Sequence, residues 1–178
     1  LINTILISSA FYLFFITLSD FFNKGFTNLA QNVAHFGFSL LILSILFNSL
    51  FSSEIITNLK VGETFEDLNT KIILKSIEQK EEKNFKSIIA NFNIENSKGI
   101  IENLSPELRI YNQPNIVTSE ADIKTTMMSD KFIVINVVQN QDYFNVRYQV
   151  KPFMLWIWLS VLLISFGGLL SLFKKNYE

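Results

Sequence analysis

Val33-Ala34-His35-Phe36-Gly37-Phe38-Ser39-Leu40-Leu41-Ile42-Leu43-Ser44-Ile45-Leu46-Phe47-Asn48-Ser49-Leu50-Phe51 is the stretch that decides the fold. It carries no formal charge, and its one ionisable side chain is His35. A bilayer core about 30 Å thick is crossed by roughly 20 apolar residues in helix, so the stretch reads as a membrane span. Residues 1–19 and 152–173 are uncharged in the same way. Three spans are therefore expected, at about 1–22, 33–51 and 152–173. The connector Asn23–Asn32 is too short to cross a membrane, so the first two spans form an antiparallel hairpin.

The remaining sequence differs in kind. Residues 54–151 hold every acidic residue except Asp20 and Glu178, and every basic one except Lys24, Lys174 and Lys175. The chain as a whole is 49% hydrophobic over 178 residues, with a mean hydropathy of +0.29. That surplus comes from the three apolar stretches rather than from the middle part. The expected organisation is two spans over 1–53, a β-rich domain over 54–151, and a third span with a short tail over 152–178.

Within the middle part, Tyr143–Val150 is the clearest strand. Phe144, Val146, Tyr148 and Val150 alternate with Asn145, Arg147 and Gln149, and period two puts one set in a core and the other in water. Lys131–Val138 precedes it, and the intervening Gln139-Asn140-Gln141-Asp142 predicts a hairpin. Lys71–Glu78, Ser87–Glu95 and Gly99–Asn103 also read as strands. The charge run Glu78–Lys83 reads as a solvated loop, and Ser119-Glu120-Ala121-Asp122 as the cap of one helical turn. Pro152 closes the domain, because it cannot donate to a strand ladder and is tolerated in a first helical turn. Trp156 and Trp158 then fall within the first two turns of the third span, where an interfacial aromatic belt is expected.

Orientation follows from the short flanks. Lys24 in the connector and Lys174 and Lys175 in the tail place both in the cytoplasm by the positive-inside rule, with the middle domain on the other side. Leu1 is followed by neither a basic region nor a small-residue cleavage site, so the start does not read as a signal peptide. It reads as internal to a longer reading frame, or as processed.

Composition removes several functional classes. A net charge of −1 gives no case for nucleic acid. The absence of cysteine excludes disulfides, a cysteine zinc site and thiol redox chemistry in this chain. No Ser–His–Asp set can be assembled from it, and no glycine loop cradles a phosphate.

His35 is the foremost candidate. An ionisable side chain inside a span is costly and usually functional. Imidazole is a neutral nitrogen donor suited to haem iron, and Gly37 lets a flat group or another helix approach the backbone. The alternative is an interfacial histidine bonded to a neighbouring helix or to water. A six-coordinate haem would need a second ligand from elsewhere, since the chain has no other histidine. Met127 and Met128 fall in the domain and Met154 at the opposite membrane face. Glu107 and Arg109 share a strand face, as an ion pair, a partner contact or an acid–base pair. Arg147 and Lys151 lie just above the membrane, facing lipid headgroups or haem propionates. Gly167-Gly168 reads as a helix-packing site.

Taken in order, these segments resemble the carboxyl-terminal part of the CcmF family, the cytochrome c haem lyase subunits of the Ccm maturation system. The resemblance rests on Val33-Ala34-His35-Phe36-Gly37, Val61-Gly62-Glu63, Asn84-Phe85, Leu104-Ser105-Pro106-Glu107-Leu108-Arg109-Ile110-Tyr111, Thr118-Ser119-Glu120-Ala121-Asp122-Ile123, Arg147-Tyr148, and Lys151-Pro152-Phe153-Met154-Leu155-Trp156-Ile157-Trp158 with Gly167-Gly168. Glu82-Lys83, Phe132 and Ser160 depart from the family pattern. The resemblance implies attachment of haem to the Cys-x-x-Cys-His motif of apocytochrome c. It implies that His35 ligates an intramembrane haem b, and that this haem helps reduce the incoming haem iron.

It also implies a bacterial or mitochondrial inner-membrane location, with the middle domain in the periplasm or intermembrane space. The implied partners are the upstream part of the lyase with its Trp-rich haem-handling loop, the haem chaperone, other Ccm subunits and apocytochrome c. The chain alone is not expected to be active. Rival readings are the paralogous lyase dedicated to cytochrome c nitrite reductase, a cofactor-free membrane assembly protein, and a transporter fragment. A transporter places broken helices near the midplane, which the continuous second stretch does not suggest.

Overall fold

A computed structural model describes residues 2–23, 28–97, 99–138 and 142–173. Three helices in it are long and apolar enough to cross a membrane: α1 (Ile2–Asn23), α2 (Leu29–Phe51) and α3 (Met154–Phe173). Helix α2 starts four residues before the expected Val33. Ala30, Gln31 and Asn32 continue the helix without any breaker, and Asn32 and Val33 are already buried. The basic residues that set the expected orientation, Lys24, Lys174 and Lys175, lie outside the described residues.

Helix α2 is the central helix and packs against both α1 and α3. Its contact with α3 is close because the side chains at the crossing are small. A Cβ added at Gly37 would lie 2.9 Å from the Leu163 Cβ. One added at Gly167 would lie 2.7 Å from the Ala34 backbone nitrogen and 2.8 Å from the Ala30 carbonyl oxygen. Apolar side chains gain little by leaving lipid for each other, so close backbone approach at small residues is what holds such helices together. Gly168 has open space where its Cβ would be, so only the first glycine of the pair packs. On the other side, the Thr17 and Ser39 hydroxyls share a hydrogen bond of 2.6 Å between α1 and α2. Phe36 meets Phe14 and Phe21 of α1 at centroid distances of 5.7 and 5.8 Å.

Between α2 and α3 the described residues form ten strands. They are β1 (Ser53–Leu59), β2 (Thr64–Asp67), β3 (Thr70–Glu81), β4 (Phe85–Asn96) and β5 (Ile101–Leu104). The others are β6 (Glu107–Tyr111), β7 (Val117–Glu120), β8 (Asp122–Thr125), β9 (Ser129–Val137) and β10 (Phe144–Pro152). One sheet has the order β1-β10-β9-β8; the other runs β2-β3-β4-β6-β7, with β5 also on β4. Their apolar faces form one core. Ile72, Leu74, Phe92, Leu104 and Leu108 come from the larger sheet, and Leu59, Ile133, Ile135, Val146 and Tyr148 from the smaller. Glu102 of β5 accepts from the Lys131 Nζ of β9 at 2.7 Å, an ion pair joining the two sheets.

Three expectations are corrected. The Glu78–Lys83 charge run is not a loop up to Glu81. Glu78, Gln79, Lys80 and Glu81 pair with Ile89, Ile88, Ser87 and Lys86, so the ladder extends as a charged hairpin. Ser119–Asp122 makes no helical turn. Ser119 and Glu120 end β7 and Asp122 begins β8, and pairing of Glu107 with Glu120 and Leu108 with Ser119 outweighs the local cap. Pro152 is the last residue of β10 rather than part of a helical turn. Its carbonyl accepts a 2.6 Å bond from the Asn48 side chain, and helix begins only after Phe153, whose φ is 59°.

The Tyr143–Val150 alternation is realised in β10, where Val146 and Tyr148 are fully inside; Gln149, on the other face, is also buried. It pairs with β9, as the hairpin reading requires; Gln139–Gln141 of the connecting turn lie outside the described residues. Strand β3 hides its periodicity because a bulge at Lys75 shifts the register between Leu74 and Ser76. By its contacts the chain forms two units. One holds the three helices together with the turn Thr126–Asp130, and the other holds Ser53–Thr125 and Lys131–Val150.

Candidate functional site

His35 stands on the second turn of α2. With α1 packed on one side of α2 and α3 on another, the helix keeps an open stripe. Gln31, His35, Phe38, Ile45 and Ser49 are exposed along it, with half-buried Ile42 between Phe38 and Ile45. The steps of four, three, four, three and four residues are those of one helix face. His35 therefore points away from the other two helices, not into their interior. The residues on either side of it set its direction. Phe36 is held by the α1 phenylalanines, while Ala34 and Gly37 are held by α3. A recess of about 280 Å³ lined by Gln31, Ala34, Gly167, Gly168 and Ser171 opens beside this stripe.

No second iron ligand lies near His35 among the described residues. No group of three or more histidine, cysteine or carboxylate side chains is assembled there either. Met127 and Met128 belong to the helical unit by their contacts, but at its other end. The Met128 carbonyl accepts from the Phe153 N–H at 2.8 Å, next to Asn48 at the far end of α2. Thirteen residues of helix separate that end from His35, about 20 Å at 1.5 Å per residue.

Glu107 and Arg109 lie on β6 and form an ion pair. They face away from the core, opposite Ile89 and Ser87 of β4. The Ser87 hydroxyl donates to the second Glu107 oxygen at 2.5 Å, and the Arg109 guanidinium lies 5.1 Å from the centroid of the Phe85 ring. The cluster buries Ser87 to 2% exposure. The Ser87 hydroxyl foremost, and then Arg109, hold the Glu107 carboxyl below the usual carboxylate range against the opposing effect of burial. The Arg109 Nε is buried without a hydrogen-bond partner among the described residues.

Arg147 is paired with Glu54 across the β1–β10 ladder, and Gln149 donates to the same carboxylate oxygen at 2.6 Å. Lys151 has no ion pair among the described residues and is half-buried near the end of β10. These cations are thus unequal: Arg147 is engaged within the sheet, and Lys151 is not. Sequence reasoning missed Ser87, whose only signal was a polar residue at an alternating position, and Thr17 and Ser39, which look like any hydroxyls in an apolar helix.

Comparison with known proteins agrees with this architecture. The family model of the CcmF C-terminal beta-sandwich matches residues 50–152. The chain is 37% identical over 119 residues to the cytochrome c-type biogenesis protein ccl1 of Rhodobacter capsulatus, covering 67% of this chain and 18% of that protein. It is 28% identical over 160 residues to the cytochrome c-type biogenesis protein CcmF of Pseudomonas fluorescens, covering 87% of this chain and 24% of that one. The solved structure of the cytochrome c heme lyase CcmF superposes with a TM-score of 0.64 at 18% identity, over 79% of this chain and 24% of that one. At that identity the likeness concerns the fold. The chain spans less than a quarter of the length of these relatives. All ten strands fall inside the matched residues, and the chain belongs to the CcmF family, carrying its C-terminal β-sandwich between two membrane-spanning helices.

Proposed function

We propose that this chain is the carboxyl-terminal part of a cytochrome c haem lyase, in which His35 is an axial ligand of a haem b held within the membrane. Family membership supports the general reading, and the observation that carries the ligand assignment is the placement of His35. An imidazole on an open helix face, at bilayer depth and without a hydrogen-bond partner among the described residues, is costly against lipid. Covering by a cofactor and a further segment removes that cost. The donor set fits: His35 offers a neutral nitrogen, and the second ligand comes from outside this chain. Haem b, when bound, supplies a one-electron centre, which serves to keep the iron of the substrate haem reduced.

The chain's own residues hold the imidazole in place. Phe36 locks α2 against α1, and Ala34 and Gly37 lock it against α3, so His35 can turn only about its own side-chain bonds. Burial among apolar neighbours and neutral ligation tune an iron's potential. The substrate reaction, addition of two cysteine thiols of apocytochrome c to the haem vinyl groups, belongs to the assembled lyase. The β-sandwich then faces the periplasm or the mitochondrial intermembrane space. There Glu107, Arg109, Arg147 and Lys151 are the surface groups for the apocytochrome, the haem chaperone or other Ccm subunits.

The test is an absorbance spectrum of the chain purified with the upstream part of the lyase. A b-type haem spectrum is expected, and His35→Ala should abolish it while the protein still accumulates in the membrane. An unchanged spectrum in that variant would overturn the assignment. Charge reversal at Lys151 is expected to weaken co-purification with partners more than charge reversal at Arg147, which already has Glu54.

A further inference from the structure

The turn joining β8 to β9 carries two consecutive methionines, and both are exposed: Met127 by 68% and Met128 by 64%. Large apolar side chains at the tip of a hairpin are an unusual surface for water. This tip is also firmly held. The Thr126 N–H donates to the Ser129 carbonyl at 3.0 Å and the Thr126 hydroxyl to the same carbonyl at 2.8 Å. The Ser129 N–H returns a bond to that hydroxyl at 3.1 Å. The methionine carbonyls are both used by the start of α3. The Trp156 Nε1–H donates to the Met127 carbonyl at 2.8 Å, and the Phe153 N–H donates to the Met128 carbonyl at 2.8 Å.

Engaging both carbonyls with Phe153 and Trp156 fixes the tip at the level where α3 begins. That level is a membrane boundary, because α3 is a span by length and composition and tryptophan favours the headgroup zone. Other apolar side chains are exposed at the same end of the helical unit: Phe51 at 63%, Leu155 at 40% and Trp158 at 62%. No charge lies within the tip itself; Lys124 and Asp130 are the nearest on either side in sequence. Met127 and Met128 offer flexible, polarizable side chains that adapt to disordered neighbours.

We propose that Thr126–Ser129 is a membrane anchor, with Met127 and Met128 seated in the boundary between lipid headgroups and acyl chains beside Trp156. The occupant of this surface is the bilayer leaflet at the start of α3. Continuity with the span argues for lipid over a protein partner, since the turn is bonded to the first helical turn that enters that leaflet. The anchor holds the turn Thr126–Ser129 at the start of α3, at the end of α2 opposite His35.

Because the chain has no cysteine, Met128→Cys provides a unique site for an environment-sensitive fluorophore. The whole chain is reconstituted into phosphatidylcholine vesicles, some carrying a nitroxide on an acyl carbon close to the headgroup. Leu68→Cys, at a position 95% exposed, serves as the reference. The label at 128 is expected to lose emission to the lipid nitroxide, to resist aqueous iodide, and to emit to the blue of the label at 68. Iodide quenching equal to that at 68, without loss to the nitroxide, would overturn the proposal. Protection from both quenchers would also overturn it, because protein rather than lipid would then cover the tip.

Discussion

Two side chains carry testable electrostatics. Glu107 is held below the ordinary carboxylate range chiefly by the Ser87 hydroxyl. A carboxyl depressed in the folded state adds stability above its unfolded pKa, and loses that stability as the pH falls through the folded value. Ser87→Ala removes a buried hydrogen bond to a charged group, which costs about 1.5–3 kcal/mol at neutral pH. The gap between variant and parent should shrink below the usual carboxylate range, as measured by denaturant unfolding at stepped pH. Tyr148 shifts the other way. Burial in the core pushes its phenol up to about 12, and the nearby Glu102 adds to this. Its neutral form therefore stabilises the fold below the ordinary tyrosine pKa, and that contribution fades as the pH rises towards 12. In an ultraviolet titration Tyr148 should ionise late, and Tyr148→Phe should remove that late component.

Among the elements, the contact of α2 with α3 is the most exacting. Gly167 and Gly168 are adjacent in sequence yet opposite in consequence. Gly167→Ala pushes a methyl into the Ala30 and Ala34 backbone, and overpacking of this kind costs about 1–3 kcal/mol. Gly168→Ala meets open space and gains helix propensity. Unfolding of the membrane-embedded chain in detergent should separate the two variants in sign. The first should also alter any haem spectrum that depends on His35, because Ala34 precedes that residue directly. Strand β3 shows where a local reading falters: its bulge at Lys75 breaks the alternation that would have marked Ile77 as a core residue.

For the whole molecule, the spans were legible because a charge-free apolar run of about 20 residues matches the thickness of a bilayer and is rare in a water-soluble chain. The central strands were legible where one face is buried, as in β10. What could not be read locally was decided by long-range pairing. Strands β1 and β6 look unremarkable until they are set against β10 and β4, and Ser119–Asp122 looks like a cap until β6 pairs with it. For the candidate site, the histidine was visible as the lone ionisable group in the second span. Its outward aim was not visible, because that depends on which faces of α2 the neighbouring helices claim.

One junction has an evolutionary reading. The chain leaves α2 at Ser52 and enters α3 after Phe153, and the first and last strands of the sandwich are partners, with Ser53 opposite Val150. Entry and exit are thus neighbours, and the sandwich is an excursion from what is otherwise a helical hairpin. Replacing residues 54–149 with a tight turn should leave α2 and α3 paired, with nuclear Overhauser contacts between Gly37 and Leu163 as the readout. Loops of the insert other than the turn Thr126–Asp130, which packs with the helices, can lengthen or shorten without renegotiating α2 and α3, so those parts are free to diversify at a different rate.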